Sequence, residues 1–167
     1  TITAQRLSKD LELLDVQVIP SEVNIERSTT AGEGNVTIAI DGTLTTGTED
    51  TVTVNLVNSS QGGTLTIDNL ETVNLVSSDD PAGTTRNVLQ LDASETSGTA
   101  TLNISGAGDL TITPTDAETI NNSSSATVTI GNPDSASVIN HTGSGSLTVD
   151  DAGGLTRTIT ASGTGAL

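Results

Sequence analysis

Adjacent carboxylates in glycine-bearing turns are the first features of this chain that could do chemistry. Asp79-Asp80 precedes Pro81 and Gly83, and Asp150-Asp151 precedes Gly153. Neighbouring carboxylates repel each other, and a hard cation relieves that repulsion. Ca2+ takes about six to eight oxygens from carboxylates, backbone carbonyls and Asn side chains, and glycine lets carbonyls turn inward. Asp134, just after Asn132, and Asp92, with Glu95 nearby, are further oxygen donors of this kind. The cofactor expected from these residues is Ca2+ held in irregular loop sites. A plainer reading stands beside it: Asp is common in turns because its side chain bonds the nearby backbone and tolerates left-handed geometry. Both readings stay open for each residue.

Other chemistries are poorly supplied. The chain has no Cys and a single imidazole, His141, so a zinc site lacks its usual donors. No Gly-x-Ser-x-Gly elbow accompanies His141, which reads as a turn residue in Asn140-His141-Thr142-Gly143. With 21 acids some pair will fall at glycosidase spacing by chance, and the aromatic platforms of a sugar cleft are absent. The expectation is a protein that is not an enzyme. Thr-x-Thr pairs at Thr51/Thr53, Thr64/Thr66, Thr111/Thr113, Thr127/Thr129 and Thr158/Thr160 could order water if they lay in rows. Their irregular spacing along the chain argues against such rows, and Thr is also the ordinary polar partner in exposed strand alternation.

Charge narrows the partners. Five basic residues against 21 acidic ones give a net charge of −16, which argues against nucleic acid and anionic lipid, both of which need clustered Lys and Arg. No apolar run reaches the roughly 18 residues that a membrane helix needs. Such an acidic chain repels its own copies until cations neutralise it.

The elements that position these residues read as short strands. There is no Phe, Tyr, Trp or Met, so the core must be built from Val, Ile, Leu and Ala. That set suits a narrow, layered core better than a wide one. Apolar residues recur two apart in Val36–Ile40, Val52–Leu56, Leu65–Ile67, Val73–Leu75, Val88–Leu91, Leu102–Ile104, Leu110–Ile112, Val128–Ile130, Leu147–Val149 and around Ile159. This is the period of a half-buried strand. Turn residues separate the runs, and Asn and Thr beside the apolar anchors are placed to stack in ladders between coils. The fold predicted is all-β, a parallel β-solenoid of short strands. A β-sandwich is the alternative, for the whole chain or for its N-terminal third. Residues 1–33 read as a linking or docking segment, in which Ser8–Leu14 can be read as a short helix or, in preference, Leu13–Ile19 as a strand, and residues 34–167 as the solenoid-like domain.

Three phrases carry a resemblance: Leu70-Glu71-Thr72-Val73-Asn74-Leu75, Ala100-Thr101-Leu102-Asn103-Ile104-Ser105-Gly106 and Gly108-Asp109-Leu110-Thr111-Ile112-Thr113. Together they resemble the repetitive regions of bacterial S-layer proteins and of type-I-secreted, RTX-like adhesins, in which such phrases recur in calcium-loaded β-solenoids. The calcium nonapeptide of RTX repeats has no intact copy; its nearest fragments are Gly106–Leu110 and Asp151–Leu155. The resemblance implies an extracellular, cell-surface location and a structural role as a self-assembling S-layer or filament unit. The partner it implies is a second copy of the chain, in a homo-oligomeric lattice or filament, with cell-surface polysaccharide as a further class. The alternative is the stalk or a ligand-binding repeat of a large secreted adhesin.

Overall fold

The computed structural model describes residues 1–5, 11–26, 35–41, 43–45, 50–59, 63–67, 70–78, 86–92, 100–115, 117–133, 135–150 and 157–167. Among these are fifteen strands and no helix. In chain order they are β1 (Ile2–Gln5), β2 (Leu11–Val16), β3 (Glu22–Glu26), β4 (Val36–Ile40), β5 (Thr51–Val57), β6 (Thr64–Ile67), β7 (Thr72–Ser78) and β8 (Asn87–Asp92). There follow β9 (Ala100–Gly106), β10 (Leu110–Thr115), β11 (Ala117–Asn122), β12 (Val128–Gly131), β13 (Val138–His141), β14 (Leu147–Asp150) and β15 (Thr158–Ala161).

The odd-numbered strands stack in order as an eight-stranded sheet, and the even-numbered ones as a seven-stranded sheet. Every pairing is parallel. Each coil of the chain therefore lays one strand in each sheet, which makes the molecule a two-sheet β-solenoid. The sandwich alternative fails on this point, because sandwiches are built from antiparallel sheets. β1, β2 and β3 take the first places in the same two sheets as the strands after residue 34. Within the stretch read as either a helix or a strand lies strand β2, which runs Leu11–Val16 rather than Leu13–Ile19; the positive φ of Asp15 and the register shift between Leu13 and Val16 close it early.

Period-two alternation explains the core. Val23, Val54, Leu75 and Ile104 pair in register down the odd sheet, as do Val52, Val73, Leu102, Ile120 and Ile139. Opposite them, Leu89, Ile112 and Ile130 form a matching column in the even sheet. All are buried, and one apolar cluster draws on both sheets. Each fully buried Val, Leu or Ile contributes about 1.5–3 kcal/mol. Aliphatic side chains from both sheets fill this core, and no aromatic residue takes part.

The coils differ in length while the columns stay aligned. Hydrogen-bonded Asn24 and Asn55 are 31 residues apart, and Asn74 and Asn103 are 29 apart. Asn103 to Asn121 spans 18 residues and Asn121 to Asn140 spans 19. The extra length of the earlier coils is carried between strands, so register survives it.

Candidate functional surfaces

Of the residues singled out as calcium ligands, Asp79, Asp80, Asp134 and Asp151 lie outside the described residues. Asp92 ends β8, half-buried, and Asp150 ends β14, exposed to solvent. Both close strands of the even sheet, but three strand spacings separate β8 from β14, about 14 Å at the usual distance between strands. They therefore belong to separate places on the rod. The Asp150 carbonyl accepts a 2.8 Å hydrogen bond from the Asn132 N–H, and Asn132 has a positive φ of 43°. Among the described residues no three His, Cys, Asp or Glu side chains come together to hold a metal. A calcium loop draws half or more of its oxygens from carbonyls and Asn side chains, so any site at Asp92 or Asp150 would be of that kind.

One acid illustrates the plain role of Asp in turns. Asp41 Oδ1 accepts the Thr43 N–H at 2.9 Å, and Oδ2 accepts the Gln17 amide at 3.0 Å. The Thr43 backbone and hydroxyl, followed by Gln17, hold this carboxyl below the usual carboxylate range.

Two acids that the sequence does not single out, Asp50 and Glu71, sit where β5 and β7 begin. The Asp50 N–H donates to Glu71 Oε2 at 2.8 Å. Asp50 Oδ2 is shielded from solvent and has no hydrogen-bond partner among the described residues. The signal for this pair was the stacking of the residues before Thr51 and Thr72, which only strand register reveals.

The outward face of the odd sheet is the most regular surface of the molecule. Thr51, Thr72, Thr101, Thr119, Val138 and Thr158 form one column across six consecutive strands. Two residues along, Thr53, Asn74, Asn103, Asn121, Asn140 and Thr160 form the next. The asparagines bond to one another in a ladder: Asn103 Nδ2 donates to Asn74 Oδ1, Asn121 to Asn103 and Asn140 to Asn121, each at 2.9 Å. Rows do form, then, although the chain spacing is irregular, and their motif is Thr-x-Asn as much as Thr-x-Thr. Replacing Asn103 by Ala removes two of these bonds; we expect a loss of about 1–2 kcal/mol, read as a lower midpoint in urea unfolding.

Inside the C-terminal coils the column below Ile104 turns polar. Asn122 and then His141 take the inward places, and both are fully buried. The Asn122 amide lies 3.1 Å from His141 Nδ1. Because the amide is the donor, Nδ1 accepts and the ring proton sits on Nε2, which has no partner among the described residues. His141 is thus a core residue rather than a turn residue. No helix of the described residues is long and apolar enough to cross a membrane. Comparison with protein-family profiles, with curated proteins and with solved structures finds no match for the chain.

Proposed function

We propose that this chain is a structural unit of a bacterial cell surface, a self-assembling S-layer or extracellular filament component whose association is controlled by calcium. The observation that carries the reading is the fold in its charge state: a stack of parallel coils with a mainly aliphatic core bearing a net charge of −16. Such a rod is stiff and stacks one coil on the next, presenting an extended surface along its length. Its charge keeps copies apart until divalent cations neutralise the acids. Asp50, Glu71, Asp92 and Asp150 give those cations places to bind at strand ends, and the S-layer-like phrases now lie on β7, β9 and β10. The role is architectural, with no catalytic step.

Light scattering of the purified chain in millimolar Ca2+ and in EGTA tests this. Growth into large particles in calcium, reversed by chelation, is the expected result. A monomeric rod under both conditions would overturn it in favour of an adhesin stalk.

A further inference from the structure

The outward face of the odd sheet is distinguished by its Thr and Asn rows. From β5 to β15 the outward positions that pair in register are Thr, Asn, Ser and Val, and none of these is charged, on a chain of net charge −16. Two acids stand at its margin, Asp50 and Glu71, which immediately precede β5 and β7, and one lies within it, Glu118, skipped at the bulge of β11 next to Thr119. We propose that this face is the lateral contact between two copies of the chain, packed face to face. The proposal rests on the assembly reading above and names the surface that performs it.

Three physical arguments favour a second copy as the occupant. The first is spacing. The Thr and Asn rows repeat at the strand separation of about 4.8 Å, and a second copy repeats at the same distance. Its rows therefore fit between these without any adjustment, in the manner of stacked β-sheets whose side chains interdigitate. The second is charge. An interface centre depleted of charge within a polar rim is the ordinary anatomy of a protein interface, and the register rows of this face carry no charge to oppose the approach of a second copy. The third is order. The Asn amides are already fixed in their ladder, so little side-chain freedom is lost on contact. The face spans about 24 Å along the stack, five strand spacings, which makes one such contact modest in area and effective when repeated along an assembly. Docking also brings the acidic margins of the two copies together, which makes the contact depend on cations.

The test is sedimentation velocity of the full chain in millimolar Ca2+ over a hundredfold concentration range, with two double variants of equal charge. T101E/T119E places carboxylates in the centre of the proposed contact. T129E/T148E places them on the outward face of β12 and β14, in the other sheet. Circular dichroism and melting establish that both keep the strand fold. Expected is association of the wild type and of T129E/T148E, with T101E/T119E remaining monomeric at concentrations at least tenfold higher. If the wild type assembles and T101E/T119E assembles equally well, the face is wrong while the assembly reading stands. If the wild type remains monomeric, the assembly reading fails and takes the face with it. Ice shaping or retention on insoluble polysaccharide by a monomeric wild type, lost in T101E/T119E, would assign the face to another ligand and overturn the proposal.

Discussion

Gly145→Ala is expected to destabilise the protein by about 3 kcal/mol, the upper range for overpacking in a tightly filled interior. At about 2–4 °C per kcal/mol for a chain of this size, the melting temperature falls by roughly 10 °C. The cause is backbone against backbone. A Cβ at Gly145 would lie 1.9 Å from the Ala126 carbonyl oxygen, 2.5 Å from its carbon and 2.7 Å from its nitrogen. None of these atoms belongs to a flexible side chain that can swing away. To admit the methyl group, the corner of one coil must lift off the corner below. That movement breaks the 3.1 Å hydrogen bond from the Gly145 N–H to the Ser124 carbonyl. It also disturbs the next corner, where a Cβ on Gly165 would meet the Gly145 carbonyl oxygen. A differential scanning calorimetry trace of G145A beside the wild type checks this; a shift below about 2 °C would mean that the corners give way to the added methyl group.

Asn87→Ala should cost more, about 4 kcal/mol, because it strands several buried groups at once. Asn87 opens β8 at an inward position and is fully buried. Its Oδ1 accepts the Ser59 N–H at 2.6 Å. Its Nδ2 donates to Ser77 Oγ at 2.9 Å and to the Ser78 carbonyl at 3.1 Å. One amide thus ties the exits of β5 and β7 to the entrance of β8 across the core. Alanine leaves the buried Ser59 N–H and Ser77 hydroxyl without this partner, and it opens a small cavity as well. Asp is nearly isosteric but cannot restore the protein at neutral pH. Its ionised carboxylate would face the Ser77 hydroxyl and the Ser78 carbonyl with no N–H to give. Its folded-state pKa is therefore raised, so the N87D deficit relative to wild type should shrink as pH falls and the carboxyl regains a proton to donate. Urea unfolding of N87A and N87D at pH 7 and pH 5 measures both effects.

Much of the fold is legible in particular residues. Val36-Thr37-Ile38-Ala39-Ile40 marks β4 end to end, because every second residue is aliphatic and buried. The same rule locates β5, β7, β9 and β10 from their paired anchors. The rule fails at β11 and β13, which the alternation does not pick out. There the inward places after Ile120 and Ile139 belong to Asn122 and His141, and a buried polar pair looks like a turn when its partner lies 19 residues away. Asn87 is hidden for the same reason: its partners belong to other coils.

The candidate sites were less legible than the strands. Acid-rich turns could be seen in the sequence, yet Asp92 and Asp150 fall on different levels of the stack, and neighbours in the chain do not show which acids are neighbours in space. The Thr and Asn rows were obscured by unequal coil lengths, since a repeat of 18 residues and one of 29 put Asn103 in line with both Asn121 and Asn74. Register is a property of paired strands, and it is there that the Thr and Asn rows and the acids beside them come into view.

Electron microscopy of the purified chain at millimolar Ca2+, before and after EGTA, tests the central claim most directly. The account predicts ordered filaments or sheets that disperse on chelation. Single short rods in both conditions would contradict it.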